Sequence, residues 1–146
     1  MKKGIFTILT NEALTSSVYR MTLEGDTSAI TTPGQFVNIQ LAGKFLRRPI
    51  SVCDWEEGKL TLVYKVVGQG TAQMAAMTPG ERLDILTGLG NGYDLSIVGE
   101  APLLVGGGVG VPPMYGLAKK LRALGKNVQV ILGFNTSGEI FYEAEF

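Results

Sequence analysis

Apolar and polar residues alternate along much of the first two-thirds of the chain, and the period changes in the last third. In LTLVYKV, Leu60, Leu62, Tyr64 and Val66 fall on one face while Thr61, Val63 and Lys65 fall on the other, which predicts a strand with only one strictly apolar face. The segments Ser17 to Glu24, Gln35 to Leu41, Lys59 to Val67 and Glu81 to Leu86 are likewise rich in β-branched, Leu and aromatic residues. Pro33-Gly34, Glu57-Gly58 and Pro79-Gly80 punctuate them as turns. RRPISVCD, from Arg47 to Asp54, reads as a further strand. Short strands at this spacing fit a small antiparallel barrel. Between Gly70 and Met77 the residues are good helix formers, and Thr71 reads as the N-cap of a short helix that interrupts the strands.

Beyond the loop GLGNGYDLS the texture shifts. APLLVGGG is an apolar run ending in glycines, PPMYGLAKKLRALG places Leu117, Leu121 and Leu124 at helical spacing, and NVQVILGF alternates again. Pro112 and Pro113 suit a helix's first turn, where their missing N–H groups have no partner to lose, and Gly125 suits its C-terminal end. The order strand, glycine turn, helix, strand begins a βαβ unit with a boundary near Val98 to Ala101. A second helix is expected to begin around Ser137 to Glu139. Two parallel strands make an incomplete sheet, since parallel sheets lie buried on both faces. The unit is therefore expected to leave apolar faces and edges exposed, and the chain to self-associate.

Composition removes several function classes. The 146 residues carry 13 Lys+Arg and 13 Asp+Glu, so nothing marks a footprint for nucleic acid or an anionic membrane. No apolar run approaches the roughly 18 residues of a spanning helix, and the polar start MKKGIFTILTNE lacks a signal peptide's apolar stretch, so a cytoplasmic location is expected. There are no histidines, which removes imidazole bases, triads and the usual zinc sites. The single Cys53 reads as a small buried side chain, with a reactive thiol as the alternative. Chemistry is left to a bound cofactor.

The RRPIS stretch then gains meaning from its neighbours. On its own it is a barrel strand with a surface charge. Downstream, VYKVVGQGTAQM supplies Gly68 and Gly70, where backbone can approach a ligand closely, and a helix start whose amides can meet a phosphate. Arg48 offers a planar fork that matches pyrophosphate, and an apolar residue beside a hydroxyl, Ile50 and Ser51, suits a flavin ring with polar edge atoms. Together these residues suggest a flavin nucleotide site.

RRPIS, VYKVVGQGT, GLGNGY and LLVGGGVGVPPMYGLAKKL, in this order and spacing, resemble the electron-transfer subunit of type B dihydroorotate dehydrogenase, within the ferredoxin-reductase-like flavoprotein superfamily. The resemblance implies a six-stranded antiparallel Greek-key FAD-binding barrel over residues 1–98, followed by an incomplete Rossmann-like nicotinamide-binding α/β domain over 99–146. It carries FAD binding onto Arg48, Pro49, Ile50 and Ser51, onto Val63, Tyr64 and Lys65, and onto Gly70 and Thr71. Gly108, Gly110 and Pro113, read as G-x-G-x-x-P, are similar to the superfamily's nicotinamide turn, with a tight packing turn as the plain alternative. No Asp or Glu ends the second parallel strand at Gly133 to Asn135, and NADH is implied by the family alone. Family members are longer and add a cysteine cluster holding a [2Fe-2S] centre, whose ligands this sequence lacks. The implied function is electron transfer from NADH through FAD to a dihydroorotate dehydrogenase catalytic subunit in pyrimidine biosynthesis. The alternatives are the flavin subunit of an NADH-dependent ferredoxin oxidoreductase or sulfide dehydrogenase, and a redox-inactive barrel that only binds.

Overall fold

The computed structural model describes residues 1–146. Six strands, β1 (Lys2–Ala13), β2 (Val18–Glu24), β3 (Phe36–Gln40), β4 (Arg48–Glu56), β5 (Lys59–Lys65) and β6 (Arg82–Leu89), close into an antiparallel barrel. Their order around the barrel, β1-β2-β5-β4-β3-β6, has the crossed connections of a Greek key. The alternation along β5 is honoured, with Leu60, Leu62 and Tyr64 all buried in the barrel core. Met21, Leu23, Ile39 and Ile85 join them with no exposed surface.

Closure depends on β1, a strand that composition alone did not flag. Its first half pairs with β6, from Lys2 opposite Thr87 to Thr7 opposite Arg82. Its second half pairs with β2, with an irregularity between Ile8 and Thr10. The break in register turns the strand from one neighbour to the other, as bulges at barrel corners do. Phe6 and Ile8 are its two buried residues and both enter the core.

The short helix α1 (Gln69–Ala75) covers one end of the barrel and sends Met74 into the core. Its N-cap is Gly68 and not Thr71, which stands three residues later. The Thr71 hydroxyl accepts the N–H groups of Val67 and Gly68 at 2.9 and 3.2 Å, so it closes the first turn from inside the helix. At the other end, Asn11 Nδ2 donates to the carbonyls of Met74 and Met77 at 2.8 and 2.9 Å. Asn11 Oδ1 in turn accepts the Tyr64 hydroxyl at 2.9 Å. A residue of β1 thus satisfies helix-end carbonyls that would otherwise lack partners.

After the barrel come a 3₁₀ turn at Leu95–Ile97 and the parallel pair β7 (Leu103–Gly107) and β8 (Gln129–Gly133), joined through α2 (Val111–Ala123). Pro112 and Pro113 lie in the first turn of α2 as the sequence predicts, and Gly125 follows its last turn at φ +80°. The helix expected to begin around Ser137 to Glu139 is a single 3₁₀ turn there, with no α-helix after it. α2 covers one face of the parallel pair through Leu104, Met114, Leu117 and Leu121. The opposite face leaves Leu103, Val105 and Ile131 exposed by 55, 65 and 54%.

The two parts pack directly on each other. Val18, Cys53 and Val63 from the barrel meet Val111, Phe141 and Tyr142 in one buried cluster. This explains why Val63, on the face of β5 away from the core, is also buried. A β-carbon at Gly116 of α2 would stand 2.7 Å from the carbonyl oxygen of Cys53 in β4. No helix is long and apolar enough to cross a membrane.

Candidate functional site

The two adjacent arginines have different tasks. Arg47 turns onto the barrel wall, where Nη2 donates to Asp84 Oδ1 at 2.9 Å and Nη1 to the carbonyls of Asn38 and Asp84, both at 3.2 Å. It ties β3 to β6. Arg48 has no carboxylate partner, and its one hydrogen bond is from Nη1 to the carbonyl of Leu46. Its side chain lies across the start of α1, where a β-carbon on Gly70 would meet Arg48 Nε at 2.2 Å and Cζ at 2.9 Å. The strand that carries Arg48 and the turn that carries Gly70 are 22 positions apart in sequence, and the fold brings them into contact.

The other predicted site residues separate into groups. Pro49, Ile50 and Ser51 continue along β4 from Arg48; Pro49 is exposed, and Ile50 and Ser51 are half-buried. Thr71 is buried, and its hydroxyl is fully used within its own turn, accepting two N–H groups and donating to the Gly68 carbonyl at 3.2 Å. Tyr64 faces the barrel core, stacked on Tyr19 at 6.0 Å, and burial pushes its hydroxyl up to about 12. Val63 faces the interface with α2. The segment Val63 to Lys65 therefore reaches the outside mainly through Lys65.

Lys65 opens into a cleft of about 630 Å³ between barrel and α/β unit. Gly107 and Gly108 line its far wall at the carboxyl end of β7, and Gly133, Phe134 and Asn135 line it after β8. This is where ligands bind in open α/β sheets. Gly108 sits at φ +52° in a 3₁₀ turn that leads into α2, and Gly110 caps that helix. Pro113 is inside the first turn of α2 and does not line the cleft. Sequence reasoning missed Phe134, Asn135 and Glu139. Glu139 Oε1 accepts Lys65 Nζ at 3.2 Å and Oε2 accepts the Thr136 hydroxyl at 3.1 Å. These bonds, Lys65 first, hold the Glu139 carboxyl below its usual range. The spacing Thr136-x-x-Glu139 is a capping-box signature that could have flagged the turn.

The remaining chemistry is constrained by Cys53. It is fully buried, and desolvation raises its thiol to about 12, which removes it as a nucleophile. No group of three His, Cys, Asp or Glu side chains is placed to share a metal ion. An iron-sulfur centre has no ligand set among these residues. A dinucleotide fits better, because an unpaired guanidinium beside a β-carbon-free turn is a ready pyrophosphate seat, and the cleft ends at a glycine turn.

No family model matches the chain. It is 42% identical over its whole length to the dihydroorotate dehydrogenase B (NAD(+)) electron transfer subunit of Bacillus pumilus, and 43% identical over its whole length to that of Fusobacterium nucleatum, spanning 60% of each. The subunit of the same name from Geobacillus thermodenitrificans is 43% identical over 96% of the chain. Among solved structures, the NADH-dependent reduced ferredoxin-NADP oxidoreductase superposes with a TM-score of 0.85 at 32% identity, over 97% of this chain and 52% of that one. A ferredoxin NADP+ reductase from Neisseria gonorrhoeae, solved with FAD and NADP, shares the fold with a TM-score of 0.84 at 19% identity, over 99% of this chain and 63% of that one. The barrel is thus the ferredoxin-reductase-like FAD-binding barrel, and the chain, spanning about 60% of the curated relatives' length, belongs to the family of dihydroorotate dehydrogenase B electron transfer subunits.

Proposed function

We propose that residues 1–98 seat FAD and that residues 99–146 present the first nicotinamide-binding turn to it, within a subunit that passes electrons from NADH to a dihydroorotate dehydrogenase catalytic subunit. The observation that carries this reading is Arg48, a guanidinium with no carboxylate partner laid across Gly70. A cation left unpaired in a cofactor-type fold invites a pyrophosphate, which its planar fork can grip through two N–H groups.

In this reading Arg48 neutralises the pyrophosphate, Gly70 allows the close approach, and Thr71 holds the turn rigid. Ile50 and Ser51 meet the isoalloxazine further along β4, with Pro49 between them and the arginine. Val63 and Tyr64 act from behind by fixing β5, while Lys65 stands at the cleft. Gly108 and Gly110 take the nicotinamide end, and Pro113 fixes the helix behind them. Bound FAD supplies the conversion between hydride and single-electron transfer, and the chain's own residues hold and orient it. The partner is the catalytic subunit that the relatives' names imply.

FAD added to the purified chain should give a bound-flavin visible spectrum; in the whole subunit, NADH should bleach the flavin under anaerobic conditions and orotate-dependent NADH oxidation should need the catalytic subunit. A colourless protein that cannot be reconstituted would leave only a binding barrel. The 32% identity to a ferredoxin oxidoreductase favours one second reading, a ferredoxin-linked flavin subunit. Turnover with ferredoxin and none with the catalytic subunit would select it.

A further inference from the structure

Tyr142 is the one residue other than glycine whose backbone lies in the left-handed region, at φ +64°. A tyrosine there is sterically unfavourable and persists only where its surroundings over-determine it. Those surroundings are the seam between the two parts of the molecule. The Tyr142 ring meets Tyr115 of α2 edge-on at 5.3 Å, and the Arg20 guanidinium of β2 stands 6.0 Å over its centre. Glu12 Oε1 holds that guanidinium in place, accepting from Nη2 at 2.6 Å and Nε at 3.1 Å. Adjacent side chains of an extended segment point to opposite sides, yet Phe141 and Tyr142, each 6% exposed, enter the same buried cluster with Val18, Cys53 and Val111. The left-handed residue breaks that alternation.

The same segment forms a wall of the cleft. Glu139 and Phe141 line it, Phe141 packs on Phe134 at 5.2 Å, and the Glu139 carboxylate meets Lys65 of β5 at 3.2 Å. Tyr142 itself does not line the cleft, so it acts on whatever binds there only through the segment it anchors. We infer that Tyr142 is a positioning residue for hydride transfer: its ring, set between β2 and α2, fixes the wall of Glu139 and Phe141 against Lys65, so that a nicotinamide in the cleft meets the flavin at reacting distance. This rests on the reading of the cleft proposed above and adds to it a residue that touches neither cofactor.

The test is anaerobic reduction of the FAD-loaded whole subunit, followed as flavin bleaching over a range of NADH concentrations. FAD titration and reduction by dithionite, a small reductant that needs no ring-to-ring geometry, run beside it. Tyr142→Leu should lower the limiting rate with NADH roughly ten- to a hundred-fold, the scale of a misplacement by about an ångström, and leave FAD affinity and the dithionite rate unchanged. Tyr142→Phe, which keeps the ring, should keep the wild-type rate. A wild-type rate in Tyr142→Leu overturns the inference with the flavin reading intact, and so does a loss that appears equally in FAD affinity or in dithionite reduction. A Tyr142→Phe variant as slow as Tyr142→Leu overturns it too, since the ring is then not what holds the wall. Tyr142→Met, which fills space with an unbranched chain, stands in if the leucine variant does not fold, and failure of both to fold marks Tyr142 as a core residue only and overturns the inference as well. A wild-type subunit that binds no FAD, or whose flavin NADH does not bleach, overturns the reading on which the inference rests, and the inference falls with it.

Discussion

Arg48 occupies the space in which Gly70 would carry a β-carbon: the position lies 2.2 Å from Nε and 3.1 Å from Cδ of the arginine. A side chain at position 70 would therefore displace the arginine, which couples the two positions. Arg48→Ala should lower FAD affinity about ten- to a hundred-fold, the loss of a charge-assisted contact worth roughly 1.5–3 kcal/mol. Gly70→Ala should lower it comparably by pushing the guanidinium aside. Flavin titration of the double variant should show much less than the summed loss, because both changes remove the same contact. Fully additive losses would separate the two residues.

The Asn11 amide, held by the Tyr64 hydroxyl, is the fastening of α1 to the barrel. Asn11→Ala leaves helix-end carbonyls without their donor and should cost about 1–3 kcal/mol in urea unfolding. Tyr64→Phe should cost less, about 1 kcal/mol, since the amide keeps its bonds to the helix. An Asn11→Ala protein as stable as wild type would show that water replaces the amide at no cost.

Alkaline stability should be limited by three buried groups. Burial raises Cys53 from 9.0 to about 12, Tyr64 from 10.0 to about 12, and Tyr142 well above the ordinary tyrosine value. Below the ordinary values both states are protonated and the stabilisation is whole. As pH rises past them the unfolded chain ionises while the folded one keeps its protons, so stability falls and the contribution of Cys53 and Tyr64 is gone by about pH 12. Urea midpoints measured from pH 8 upward should decline from near pH 9, and Cys53→Ala should decline less steeply. A thiol reagent should modify Cys53 only as fast as the protein unfolds.

The exposed face of Leu103, Val105 and Ile131, with a free edge on each of β7 and β8, should drive self-association of the chain. Light scattering should give an apparent mass that rises with concentration. Val105→Lys and Ile131→Lys together should hold it at the monomer value. A wild-type monomer over a wide concentration range would contradict this.

How much of this was legible in the sequence depended on whether a pattern had a single cause. β5 was readable because Leu60, Leu62 and Tyr64 all point into one core, whereas its partner face misled: Val63 is buried by α2 and Phe141, elements more than 45 positions away. β1 did not announce itself because only Phe6 and Ile8 of its residues are buried, and its length serves pairing with two neighbours more than packing. At the site, the motif residues Arg48 and Gly70 were named as separate cues, and their contact is a product of barrel closure. The cap was assigned to Thr71, three residues too late, since a hydroxyl that bonds back into a turn has the same sequence signature as one that caps it. Phe134, Asn135 and Glu139 stayed hidden because they belong to the site only through the packing of two units.

Gly116 rests on the carbonyl of Cys53, so α2 meets β4 backbone to backbone. No side chain lies between them that could rotate or compress. The strand bearing Arg48 to Ser51 and the turn that opens α2 therefore share one chassis, and on the flavin reading proposed above the gap between donor and acceptor rings would be a fixed dimension of the molecule. Hydride transfer needs that gap at about 3–3.5 Å. On that reading the backbone contact of α2 with β4 would act as a ruler that sets the distance between the two rings.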